Sequence, residues 1–144
     1  MWRAIVNAWN GVDETANNDS AFKRAPVPTL QFQQVVEEVK NKDPNTVIVD
    51  VREPSEFEVV RIPGSINVPY KSHPNGFQLG DAQFEQTFHV NKPTKGKHLI
   101  FLCASGRRAA GAEEVAAKDG YSNTAIYTGS MNDWVDKGGD KLHF

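Results

Sequence analysis

Cysteine is almost missing from this chain: 144 residues contain one, Cys103. A single thiol cannot close an internal disulfide, which argues for a reducing compartment, cytoplasmic or mitochondrial, and against a disulfide-stapled secreted scaffold. No apolar run approaches the roughly 18 residues of a membrane span, and no internal repeat is visible. Neither sign of charge dominates. The formal net charge is -2 and no basic stripe appears, so no nucleic-acid partner is expected. The four histidines, His73, His89, His98 and His143, lack metal-ligand spacing, and one cysteine cannot complete a zinc site. No metal and no cofactor is expected. What remains is 39% hydrophobic and 24% charged, a globular composition of a length that suits one domain with a real core.

The lone cysteine stands at a telling place. Leu99-Ile100-Phe101-Leu102 reads as a short buried strand, and Cys103 follows it directly. Ala104-Ser105-Gly106 makes a compact loop, Arg107 and Arg108 come next, and Ala109 through Ala117 is a run of helix formers. A strand that ends in a thiol and turns tightly into a helix sets that thiol at the helix N-terminus. There the unpaired N–H groups and the helix dipole favour an anion, and thiolate is the reactive form of cysteine. The bland alternative is that a lone cysteine is a small, inert core residue. Three features weigh against it: the thiol sits at the end of the apolar run, the loop residues are uncrowded, and two arginines lie where a bound anion would be. The pattern fits an anion-binding cysteine nucleophile.

In chain order, residues 1–27 form a tail with a short amphipathic segment. Trp2, Ile5, Val6 and Trp9 share one face if residues 1–10 are helical, and Gly11 ends the pattern. Three readings stay open: a tryptophan-bearing membrane-surface contact by residues 1–11, an organelle-targeting segment, or a helix packed on the domain. One basic residue makes a poor transit peptide. The domain occupies residues 28–144. Thr29 is the expected N-cap of an amphipathic helix to about Lys40. Val47–Val51 is expected as a strand covered on both faces, Pro54–Val59 as a short helix with proline first, and Ile66–Val68 as a brief strand. One helix is expected around Ala82–Phe88 in an otherwise loop-rich stretch. Further on, the helix from Ala109 runs to Lys118, Thr124–Tyr127 is a strand, and a last helix lies near Asn132–Lys137. Alternating strands and helices indicate an α/β fold with a central, mostly parallel sheet flanked by helices on both faces. Asp50, Arg52 and Glu56 form a charge cluster at a strand end, read first as an ion-pair network that pins the following turn and second as support for a site. Trp134 reads as core or pocket wall, and Tyr70, Lys71, Ser72 and His73 as candidates for the entrance.

Three motifs in order resemble the rhodanese domain family. They are Asp50-Val51-Arg52-Glu53-Pro54-Ser55-Glu56-Phe57 followed by Ile62-Pro63-Gly64-Ser65-Ile66-Asn67-Val68-Pro69, then Cys103 with its six-residue loop, then Tyr127-Thr128-Gly129-Ser130-Met131-Asn132-Asp133-Trp134. The opening Met1-Trp2, the Ser130–Trp134 stretch and the Gly-Gly-Asp-Lys-Leu ending resemble the fungal single-domain members. One departure is Val60-Arg61, where the family usually has Gly-His; it bears on local packing. The resemblance implies a single rhodanese-type domain acting as a thiosulfate sulfurtransferase. Cys103 would take the outer sulfur as a persulfide and pass it to a thiol or cyanide, the protein working as a monomer. It also implies substrate binding by Ala104, Ser105, Gly106, Arg107 and Arg108. Arg108 is the better placed to neutralise the sulfonate, and Arg107 reads equally as a solvated surface charge. Thiolate attack on sulfur with a stable oxyanion leaving needs no general acid, in keeping with the absence of histidine near the loop. Cysteine phosphatases and arsenate reductases place arginine after five intervening residues. Here position 109 is alanine and Arg108 follows four, a smaller loop that suits sulfur better than phosphoryl. A carrier or binding module on the same fold is the alternative from another class.

Overall fold

The computed structural model describes residues 24–144. The amphipathic segment expected at the N-terminus lies outside them. The described elements run β1 (Thr29–Leu30), α1 (Phe32–Asn41), β2 (Thr46–Asp50), α2 (Pro54–Val59), β3 (Ile66–Asn67), α3 (Asp81–Phe88), β4 (His98–Leu102), α4 (Arg107–Lys118), β5 (Thr124–Tyr127) and α5 (Ser130–Asp136).

The strands form one sheet in the order β1-β5-β4-β2-β3, and every pairing is parallel. Composition explains the central strands. β2 (Thr-Val-Ile-Val-Asp) and β4 (His-Leu-Ile-Phe-Leu) are near-continuous apolar runs, as strands covered on both faces require. Period-two alternation then divides β4 between two cores. Leu99 and Phe101 join Ala109, Ala112 and Ala116 of α4, with Phe84 and Phe77, on one face. Ile100 and Leu102 join Val35, Val36 and Val39 of α1, with Met131 and Trp134 of α5, on the other. The expected fold class stands, with the sheet wholly parallel.

Local boundaries moved for identifiable reasons. Thr29 is not an N-cap: with Leu30 it pairs with Ile126 and Tyr127 as an edge strand. Gln31 caps α1 instead, its N–H donating to Gln34 Oε1 at 2.7 Å in a reciprocal capping box. The helix placed at Ala109 begins at Arg107, and the one placed at Asn132 begins at Ser130. α2 spans Pro54–Val59 as expected, with proline in its first turn. Upstream of β1, Arg24 pairs with Glu113 of α4 and Val27 packs on the core, so the chain from residue 24 lies against the domain.

Candidate active site

Parallel strands present their C-terminal ends on one side of the sheet, and ligands of open α/β folds gather there. Asp50 of β2 and Leu102 of β4 are in register, with Asn67 of β3 beside Asp50. Cys103 is the first residue past that edge. Its side chain is buried, and Sγ accepts the Gly106 N–H at 2.9 Å. The loop can close so tightly because Gly106 adopts φ +103°. A Cβ there would also lie 2.6 Å from the Thr128 carbonyl oxygen. Gly106 is the N-cap of α4, so Arg107 and Arg108 occupy the first helical turn rather than the loop. Ala104 is half-buried, and Ser105 and Arg107 are exposed on the rim.

The start of α5 grips the same loop. The Met131 N–H donates to the Cys103 carbonyl at 2.9 Å, and the Asn132 N–H to the Ala104 carbonyl at 3.0 Å. On the other side of the peptide, the Cys103 N–H donates to Ser130 Oγ at 3.1 Å. All three polar groups of Cys103 therefore have a protein partner.

The arginines differ in their surroundings. Arg108 makes a two-pronged pair with Glu56 of α2, Nη1 to Oε1 at 3.0 Å and Nη2 to Oε2 at 3.2 Å. The Arg108 hydrogen bond holds the Glu56 carboxyl below its ordinary range. In return Glu56, aided by the nearby Cys103 and Glu53, raises the already high Arg108 value. Glu56 has a second task, accepting the Glu53 N–H at 3.0 Å as the third residue of its own capping box.

Asp50 and Arg52 are 0% and 4% exposed, which makes their pairing obligatory. Arg52 Nε donates to Asp50 Oδ1 at 3.0 Å and Nη2 to Oδ2 at 2.7 Å. The same guanidinium donates to the carbonyls of Glu56 and Val60, and so ties both ends of α2 to the sheet edge. This is the ion-pair network that pins a turn. Glu56 joins it only through its carbonyl, its carboxylate going to Arg108 instead. Asn67 adds Nδ2 bonds to the Asp50 and Arg52 carbonyls.

The remaining candidates are dispersed. Tyr70 lies over α4, where a Cβ on Gly111 would come within 2.6 Å of its hydroxyl. Ser72 and His73 line a cleft of about 360 Å³ with Pro54, Phe57, Asn67 and Phe88, outside the edge strand β3. Lys71 is exposed. Trp134 is core, fully buried against Phe32 and Phe144. Arg61, at the position of the usual histidine, is exposed with its guanidinium 4.9 Å above the Phe57 ring. Sequence reasoning missed the carboxylate partner of Arg108 and the hydroxyl partner of Cys103. Both Glu56 and Ser130 stood inside recognised motifs, which was the available signal.

The chain is similar to known proteins over most of its length. The chain is 51% identical over 142 residues to a thiosulfate:glutathione sulfurtransferase of Saccharomyces cerevisiae, covering 99% of each. It is 44% identical over 108 residues to the thiosulfate sulfurtransferase RDL2, mitochondrial, of the same organism, covering 75% of this chain and 72% of the relative. A structure described as an uncharacterized protein from Saccharomyces cerevisiae superposes with a TM-score of 0.81 at 52% identity, covering 83% of this chain and all of the other. The rhodanese-like domain model matches residues 31–137, which takes in strands β2 to β5, the Cys103 loop and the α5 clamp, and the chain belongs to the rhodanese-like domain family.

Proposed function

We propose that the chain is a thiosulfate sulfurtransferase that carries sulfur as a persulfide on Cys103. The observation that carries this reading is the 2.9 Å hydrogen bond from the Gly106 N–H to Sγ at the head of α4. Backbone donors aimed at sulfur stabilise negative charge there and need no titrating partner. Relatives named as sulfurtransferases, one of them matched over 99% of each chain, support the same chemistry.

In the first half-reaction the Cys103 thiolate attacks the outer sulfur of thiosulfate. A new S–S bond forms, the bond to the sulfonate sulfur breaks, and its electron pair leaves with sulfite. The N–H groups from Ala104 to Arg108 cradle the anionic outer sulfur. Arg107 on the rim is the cation an incoming dianion meets first, and Arg108 engages the sulfonate by exchanging its Glu56 partner. In the second half-reaction an acceptor thiolate, or cyanide, attacks the outer sulfur and Cys103 leaves as thiolate. Asp50 and Arg52 hold α2 in place and so set where Glu56 stands. A low-molecular-weight thiol such as glutathione is the acceptor, by analogy with the 51% identical relative. The enzyme works as a monomer in a reducing compartment, cytosolic or mitochondrial. The single thiol supports that setting, as does the relative named mitochondrial.

Intact-protein mass after exposure to thiosulfate tests the reading. The wild type should gain one sulfur, about 32 Da, lose it to cyanide as thiocyanate, and release one sulfite. Cys103→Ser should gain nothing. A wild-type protein that gains no mass yet binds a partner through this loop would replace the enzyme with a binding module.

A further inference from the structure

Ser130 is an anomaly in the fold. It is fully buried, is not glycine, and adopts φ +58°, a region that side chains other than glycine enter at a cost. Strain of this kind persists only where the surroundings hold it. Here they do so through the hydroxyl. Ser130 Oγ donates to the Tyr127 carbonyl at 2.8 Å, which commits its only proton, and it accepts the Cys103 N–H at 3.1 Å.

The position of that bridge in the sheet gives it meaning. β4 and β5 are paired from Leu99–Thr124 to Phe101–Ile126. Beyond Phe101 the strands part, and the next groups that the ladder would have served are the Cys103 N–H and the Tyr127 carbonyl. The hydroxyl stands between them. It continues the pairing by one relay and lets the two chains separate enough to open the Cys103 loop. Without it, both backbone groups would be buried at the root of the nucleophile with nothing to bond.

We infer that Ser130 is a positioning residue for Cys103: its hydroxyl, not its backbone conformation alone, fixes the nucleophile's peptide so that Sγ meets the Gly106 N–H. The αL backbone is the geometry that brings the hydroxyl to this point. Reactivity of Cys103 therefore tracks the hydroxyl, whereas the difference in stability between variants that lack it tracks the φ angle. The role in catalysis rests on the sulfurtransferase reading, but the effect on thiol reactivity does not.

Two substitutions separate the terms. Ser130→Ala removes the hydroxyl and keeps the backbone penalty; Ser130→Gly removes the hydroxyl and the penalty together. Cys103, the single cysteine, is alkylated with iodoacetamide across the pH range in which thiols ionise, and thermal midpoints and thiosulfate turnover are measured beside it. Both variants should alkylate about tenfold more slowly than wild type at neutral pH and lose kcat/KM by a similar factor, the loss lying in kcat, because a displaced nucleophile weakens the transition state more than binding. Ser130→Gly should melt above Ser130→Ala. A Ser130→Gly protein with wild-type alkylation and turnover would overturn the inference, as would reactivity that rises and falls with the melting temperature. If the wild type alkylates but moves no sulfur, the sulfurtransferase reading fails while the alkylation comparison still decides the role of Ser130.

Discussion

Arg108 and Glu56 stand 52 residues apart in the chain and meet face to face, guanidinium on carboxylate, joining the first turn of α4 to α2. The cation proposed to hold the sulfonate group of a donor is thus already engaged. On that proposal, substrate binding becomes an exchange of one anion for another.

That exchange has a measurable consequence. Glu56→Gln leaves the capping bond to Glu53 possible and removes the competing charge. An ion pair this exposed is worth at most about 1 kcal/mol, or roughly fivefold in binding. KM for thiosulfate should therefore fall by up to about fivefold in Glu56→Gln, with kcat within about twofold. Steady-state kinetics at low ionic strength reads it, because the screening of added salt shrinks the effect.

Acid should undo the same pair. Arg108 holds the Glu56 carboxyl below its ordinary value of 4.5, so the pairing contributes fully above that value. Its contribution is lost as pH falls through the lowered value in the folded protein. Thermal midpoints followed downward from neutral pH should drop more steeply for wild type than for Glu56→Gln, and the two curves should converge in acid.

At the sheet edge, Arg52→Ala strands the Asp50 carboxylate, fully buried, without its cation. Breaking a buried pair from one side costs about 3–5 kcal/mol. Denaturant unfolding should show a loss of that size. The mutant's remaining activity should fall as α2 loses its two carbonyl ties.

Gly106→Ala combines a left-handed backbone with a contact of 2.6 Å from the new Cβ to the Thr128 carbonyl oxygen. The backbone term alone is about 1–2 kcal/mol, and the carbonyl belongs to rigid backbone. Loss of sulfur transfer should be nearly complete even in protein that remains folded by circular dichroism, because the N–H that meets Sγ must move.

Glu113 offers a test of where the domain starts. Its carboxylate is buried, bonded to Thr124, and paired with Arg24 upstream of the first strand. Arg24→Ala should destabilise by about 2 kcal/mol through the buried charge left behind. Adding Glu113→Gln should recover part of the loss, so that chemical denaturation shows coupling between the two sites.

The elements legible in the sequence were those with strong composition. The β-branched run of β2, the apolar run of β4 and the proline-led α2 appear where their residues dictate. The edge strand β1 was not, since two residues carry no period and Thr29 offers cap chemistry equally well. The start of α4 was read two residues late because the N-cap role of Gly106 depends on a positive φ that sequence spacing does not display. Cys103 and its loop were legible from the strand–turn–helix order alone. The link from Arg108 to Glu56 was not: each lay in its own motif, and nothing local to either says that α2 and α4 meet. Ser130 follows a glycine and lies just ahead of the last helix as the sequence places it. Its bond to Cys103 exists only once β5 lies beside β4.

The grip of α5 on the Cys103 loop also sets a timetable. A nascent chain emerges with the thiol well before residues 130–132, which supply the Cys103 carbonyl with its donor and the Cys103 N–H with its acceptor. Closing the sheet also requires Thr29 to find Ile126. Until that long-range pairing is made the cysteine is an ordinary thiol on an unfinished chain, open to any oxidant or electrophile it meets. On the proposed mechanism, transfer from thiosulfate is thereby reserved for the completed molecule, and a ribosome-released fragment ending before β5 would keep an ordinary thiol but take no sulfur.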